Sequence, residues 1–162
     1  MTVVIQPGER EAYAFLKAHK VGVLATVDPN GEPHAAAIYY AVDRDSSLTF
    51  LTKAQTKKAD NLEHNHHAML VVYEAATQTT VQVTGLVDKV TDGSELNDIF
   101  TQIIYASLDA SNTDVPPIAK LNLGEYVAYR IKPVQVRMAS FKQHEEQGNY
   151  DSIFKTIVPE HQ

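Results

Sequence analysis

The chain has 162 residues with no cysteine and no tryptophan, 44% hydrophobic and 21% charged residues, and a net charge of −6. These values suit one soluble globular domain over residues 1–162 and exclude disulfides, thiolate metal sites and thiol nucleophiles, while 20 acidic against 14 basic residues argue against a general nucleic-acid binder. No apolar stretch approaches the roughly 18 residues of a membrane-crossing helix, and residues 1–10 lack the apolar segment of a signal peptide, so a cytoplasmic protein that engages neither membrane nor nucleic acid is expected.

Residues 9–20 place Ala12, Tyr13, Phe15, Leu16 and His19 at helical spacing. The texture then turns to short β-branched runs. Residues 21–27 (VGVLATV) and 33–43 (PHAAAIYYAVD) flank Asp28-Pro29-Asn30-Gly31, where proline presets φ and Asn-Gly tolerates positive φ, which predicts a hairpin. Residues 48–52 (LTFLT) make a third strand after the polar turn Arg44-Asp45-Ser46-Ser47, and residues 56–65 (TKKADNLEHN) a helix. Strands follow over 68–73 and 80–90, the second alternating Val81, Val83 and Gly85 with Gln82, Thr84 and Leu86. Residues 92–108 carry Leu96, Ile99, Phe100, Ile103, Ile104 and Leu108 on one helical stripe, with Ser94 as the expected N-cap. A turn-rich loop over 109–122 contains Pro116-Pro117. Residues 126–131 and 134–138 read as two last strands or one strand bent at Pro133, and a polar tail over 142–162 follows a core of about residues 9–141. Some six antiparallel strands with inserted helices predict an α+β barrel and not a βαβ sheet.

The stretch richest in chemistry is residues 48–62 (LTFLTKAQTKKADNL). A strand ends at Thr52, and a helix opens near Thr56 with Lys57 and Lys58 in its first turn. Cations are unfavourable there, because the helix macrodipole already places positive charge at that end and the free N–H groups want an acceptor. A phosphate satisfies lysines, hydroxyl and amides together. Lysines at a helix start also occur simply as a solvated face.

Residues 21–90 resemble the FMN-binding split barrel of the pyridoxamine 5'-phosphate oxidase-like superfamily. In the oxidase an aromatic-Tyr-Thr strand end is followed by a short loop and Ser-Arg-Lys-Ala; here Phe50-Leu51-Thr52 precedes Lys53-Ala54-Gln55 and Thr56-Lys57-Lys58-Ala59. The resemblance implies an antiparallel six-stranded split β-barrel with inserted helices, a homodimer, and FMN at the subunit interface. Thr52, Thr56, Lys57 and Lys58 would cradle its phosphate, and main-chain groups of Ile38, Tyr39 and Tyr40 would meet the polar edge of its ring. The family's next strand carries a Gln near Val-x-Val-x-Gly; Thr80 occupies that position before Val81-Gln82-Val83-Thr84-Gly85, with Gln82 as a stand-in. Where the oxidase's strand under the flavin contributes an Arg to the phosphate and a Lys to the substrate end, this chain has Ala36 and Ala41, and residues 134–141 (VQVRMASF) lack the Trp and the Arg-x-His signature of the vitamin site. The expectation is an FMN-dependent oxidoreductase acting on another substrate with NADH or NADPH as candidate donor. The alternative on the same barrel is a protein that sequesters flavin or haem without turnover, and a deazaflavin coenzyme is a third occupant.

His64, His66 and His67 invite a metal, but near-adjacent histidines at a helix end cannot converge on one ion, and imidazoles there complement the negative end of the macrodipole. No metal site is expected. Tyr39 and Tyr40 are strand neighbours whose side chains face opposite ways, one toward a pocket or both into packing. No side chain stands out as a general acid or base, so no catalytic residue is assigned.

Overall fold

Short runs with period-two alternation have one buried and one outer face, and here they close around a single core. The computed structural model describes residues 8–110, 117–120, 124–141 and 154–158. Helix α1 (Glu9–Ala18) leads into strands β1 (Val21–Val27), β2 (Pro33–Val42) and β3 (Leu48–Lys53). Helix α2 (Lys57–His64) is followed by β4 (His67–Glu74) and β5 (Thr79–Val90), then by α3 (Gly93–Ala110), the single turn α4 (Pro117–Lys120), β6 (Tyr126–Ser140) and β7 (Lys155–Ile157). The strands are antiparallel in the order β3-β2-β1-β4-β5-β6-β7, and β3 also pairs with β6, so the first six close on themselves. This is the α+β split barrel expected from the sequence. Strand β7 is an addition on the free side of β6, and its Ile157 is buried in the core. Among the described residues no helix is long and apolar enough to cross a membrane.

The interior holds Leu24, Tyr40, Leu48, Phe50, Leu70 and Val83 with their neighbours, each burial contributing roughly 1.5–3 kcal/mol. Phe50 and Tyr129 stack with ring centroids 5.4 Å apart. Helix α1 adds Ala12, Tyr13 and Leu16 at the end of the barrel where the Tyr40 hydroxyl donates to Leu16 O at 2.8 Å. Helix α2 adds Ala59 and Leu62 at the other end of the β1–β2 hairpin, where Asn61 reaches Thr26. The hairpin turn closes as expected: Gly31 takes φ +82° and its N–H donates to Asp28 O.

Strand β6 is continuous through Pro133. Its register against β5 shifts between Thr84 and Gly85, which face Gln135 and Pro133 and leave Val134 as the extra residue of a bulge. Proline has no N–H for the ladder, and a bulge absorbs that loss. The chains come so close there that a Cβ on Gly85 would sit 2.6 Å from both Ile131 Cγ2 and Lys132 O.

The outer wall has two unlike halves. Helix α3 lies across the outside of β2, β3 and β6, burying Ile99 and Ile103 against Leu51 and Ala128, with Tyr39 and Tyr126 at the margin. Its start differs from expectation. Asp92, not Ser94, is the cap: its Oδ1 accepts the Glu95 N–H at 2.8 Å, and a carboxylate also complements the positive end of the helix. Ser94 already lies inside the first turn. Arg130 of β6 ties this helix to the barrel, its guanidinium donating to Asp43 Oδ2 at 3.2 Å and to Glu95 Oε1. The opposite half, formed by β1, β4 and β5, has no helix over its outer face among the described residues, and Val21, Val23, Tyr73 and Leu86 stand exposed there.

Candidate functional site

The site begins with a break in hydrogen bonding. Strand β2 pairs with β3 only from Tyr40↔Phe50 to Val42↔Leu48, whereas Leu51, Thr52 and Lys53 pair across to β6. Among the described residues the first part of β2 is paired to β1 alone, so the wall opens between β2 and the end of β3. The Tyr40 N–H donates to Lys20 O at 3.1 Å, on the β1 side. Main-chain groups alternate sides along a strand, so those of Ile38 also turn to β1 and those of Tyr39 turn to the opening. Of Ile38, Tyr39 and Tyr40, Tyr39 is therefore the residue whose main chain faces the split. The side chain of Tyr40 is in the core, while that of Tyr39 packs beside α3.

At the lower edge of the opening, the end of β3 and the start of α2 bring three of the predicted residues to one point. The Lys58 ammonium donates to Thr52 Oγ1 at 3.3 Å, and Thr52 Oγ1 lies 3.1 Å from Thr56 Oγ1. Thr56 is the N-cap residue, yet its hydroxyl donates back to Lys53 O at 2.8 Å and makes no cap bond to the helix. The first-turn N–H groups of α2 therefore have no side-chain acceptor from their own cap. Lys58 is half-buried, its pKa is lowered by desolvation, and among the described residues no carboxylate is in ion-pair range of it. A desolvated cation, two hydroxyls and an uncapped helix start form a cradle that lacks a negative charge. That chemistry fits a phosphate.

Lys57 is placed differently. Its ammonium pairs with Asp28 Oδ2 at 3.5 Å, on the turn between β1 and β2. Asp28 Oδ1 also accepts the N–H groups of Asn30 and Glu32 at 2.8 and 2.9 Å. The Glu32 N–H above all, helped by that of Asn30 and by Lys57, holds the Asp28 carboxyl below its usual range against the opposing effect of desolvation. Lys53 turns away from the opening, its ammonium 3.5 Å from the centroid of the Tyr126 ring and bonded to Gly124 O.

Two residues that sequence reasoning passed over support the cradle. Asp28 fixes Lys57, and the fully buried Asn61 donates to Thr26 Oγ1 at 3.0 Å, pinning the second turn of α2 to β1. The available signal for Asn61 was an asparagine inside a helix, where it has low intrinsic preference and needs a reason. Thr80 and Gln82 lie elsewhere: β5 pairs with β4 and β6 and not with β3, and both residues alternate with buried Val81 and Val83 toward the uncovered half of the wall. The histidines separate. His64 Nδ1 bonds Asp60 O, His66 Nδ1 bonds Val87 O, and His67 is exposed on β4.

Residues 9–140 match the sequence profile described as pyridoxamine 5'-phosphate oxidase. The chain belongs to the pyridoxamine 5'-phosphate oxidase family. Among curated members, pyridoxine/pyridoxamine 5'-phosphate oxidase 1 of Ralstonia nicotianae is 35% identical over 69 residues, which is 43% of this chain. The match spans about a third (32%) of that relative's length. Two solved structures share the fold. A pyridoxamine 5'-phosphate oxidase-related, FMN-binding protein of Nostoc punctiforme superposes with a TM-score of 0.60 at 16% identity, covering 98% of both chains. A heme binding protein of Mycobacterium smegmatis superposes with a TM-score of 0.64 at 19% identity, covering 92% of this chain and 57% of that one. Within this pyridoxamine 5'-phosphate oxidase family chain, Ala36 and Ala41 are half-buried methyl side chains on β2 and offer no charge to a ligand.

Proposed function

We propose that this protein binds FMN in the split between β2 and β3 and works as an oxidoreductase on a substrate other than pyridoxamine 5'-phosphate. The observation that carries the reading is the half-buried Lys58 ammonium, bonded to Thr52 and beside an uncapped helix start, with no carboxylate among the described residues to neutralise it. Thr52, Thr56, Lys58 and the first-turn N–H groups of α2 would hold the phosphate, with Lys57 flanking and shared with Asp28. The Tyr39 main chain would meet the polar edge of the ring. Bound FMN supplies a centre that accepts hydride or single electrons. The protein's part is to hold the Lys58 ammonium on Thr52 Oγ1 beside the helix start, where the phosphate would supply the negative partner it lacks. The FMN-binding relative from Nostoc supports this reading, and alanines at 36 and 41 support a different substrate.

We further propose that two copies join through the uncovered face of β1, β4 and β5. Contiguous exposed apolar side chains of this kind mark interaction surfaces, and Thr80 and Gln82 lie on this face. A cofactor between copies could then meet the Lys58 cradle of one subunit and Gln82 of the other.

Flavin bands in the purified or FMN-titrated protein, bleached by NADH or NADPH, are the expected result; a Soret band instead would favour the haem-binding alternative. Lys58→Ala should weaken FMN by roughly 10- to 100-fold, the worth of a charge-assisted hydrogen bond. Riboflavin, which lacks the phosphate, should bind both forms alike. If the Lys57→Ala, Lys58→Ala double variant keeps full FMN affinity, the phosphate site is wrong.

A further inference from the structure

A second concavity lies at the far end of β2 from Lys58, where the end of α1 and the last turns of α3 meet the strand. It is a cleft of about 300 Å³, the small end of the range for ligand sites. Its floor is apolar, made by Leu16, Ala41, Val42 and Ala106. Tyr40 contributes ring surface only, since its hydroxyl is engaged with Leu16 O and burial raises its pKa far above the ordinary value. One wall is the ring of Tyr105, 67% exposed, and among the described residues no other ring stacks on it. An aromatic side chain left this open beside an apolar floor is a platform for a flat ligand.

The polar groups of the rim set the charge of that ligand. Lys17 and Lys20 stand on the α1 side, Gln102 and Asp109 on the α3 side. Lys20 uses one donor on Lys17 O at 3.0 Å, which holds its ammonium at the rim with donors to spare. His19 adds nothing, because Nδ1 meets Phe15 O and Nε2 meets Glu74 Oε1. Among the described residues of the rim, two lysines against one aspartate leave a single positive charge, and no arginine fork is there to grip a dianion.

We propose that this cleft binds a small aromatic monocarboxylate, its ring against Tyr105 and the apolar floor and its carboxylate toward Lys17 and Lys20. Ala41 is two residues along β2 from Tyr39, whose main chain faces the split, so the bound ring would lie on the substrate side of a flavin held there. That last step rests on the flavin reading; binding in the cleft does not.

The test is calorimetric titration of the full-length protein with benzoate, with uncharged benzamide as the control, first without and then with FMN. Benzoate should bind once per chain, more tightly than benzamide, and more weakly as salt rises. Lys17→Gln with Lys20→Gln should weaken benzoate roughly five- to tenfold and leave benzamide unchanged. Tyr105→Ala should weaken both. All three positions are at the surface, and unchanged thermal midpoints and FMN affinities would show the fold and flavin site intact. Benzoate binding that is absent, equal to that of benzamide, or indifferent to the lysine pair would overturn the site. Benzoate that binds the FMN-loaded protein without moving the flavin absorption bands would overturn the substrate-side role alone. A protein that takes no FMN but binds benzoate would sink the flavin reading and leave the cleft standing.

Discussion

The two halves of the barrel wall are built by the same alternation and finished in opposite ways. On β3 and β6 the outward residues Leu51 and Ala128 disappear under α3. On β1 and β4 the outward residues Val23 and Tyr73 meet solvent. Period two tells which side chains point out of a barrel, but what covers them is decided by the helices or copies that pack on it. One substitution made on both walls separates the two cases. Leu51→Asp buries an unpaired carboxylate between β3 and α3 and should cost about 4 kcal/mol or more, lowering the thermal midpoint by roughly 10 °C. Val23→Asp should leave that midpoint nearly unchanged while weakening self-association by roughly 30-fold or more in sedimentation equilibrium. A wild-type protein that sediments as a monomer at all concentrations would remove the dimer proposal.

The covered wall can also be tested through its electrostatic tie. Arg130 joins β6 to Asp43 at the end of β2 and to Glu95 in the first turn of α3. Removing it leaves two carboxylates facing each other in a partly buried place. Arg130→Met should cost about 1–3 kcal/mol, less than for a fully buried pair because the side chain keeps some contact with water. Thermal denaturation measures the loss, and hydrogen exchange should show it concentrated in α3. Even protection across the barrel would mean that Arg130 does not hold the helix.

The β-strands were legible because an alternating pattern survives any tertiary context that keeps one face buried. Thr56-Lys57-Lys58 stood out in the chain because it puts hydroxyl and cations at a helix start, where the cations conflict with the dipole. What the chain order could not show is which residues the fold brings across. Lys57 and Lys58 look equivalent as neighbours, but the β1–β2 turn carries Asp28 to one and the end of β3 carries Thr52 to the other. Ile38, Tyr39 and Tyr40 likewise separate only once Lys20 is seen to take the Tyr40 N–H. The choice of Asp92 over Ser94 as cap turned on a two-residue shift of the helix start. Ile157 falls in the tail that reads as polar, and its place beside β6 depends on a pairing distant in sequence.

The smallest effect sharpens the difference between the two lysines. Asp28 is held below its usual pKa, chiefly by the Glu32 N–H and with help from Asn30 and Lys57. A carboxyl with a lowered folded pKa contributes stability above its unfolded value, near 4, and loses it as pH falls through the folded value. The wild-type protein should therefore exceed Asp28→Asn in thermal midpoint by a constant margin at neutral pH, and the margin should shrink below about pH 4. The same variant frees Lys57 from its partner, so FMN should bind it at least as tightly as wild type, whereas Lys58→Ala should bind it worse. If Asp28→Asn instead weakens FMN as much as Lys58→Ala does, the turn is part of the cradle and Lys57 belongs inside the site, not beside it.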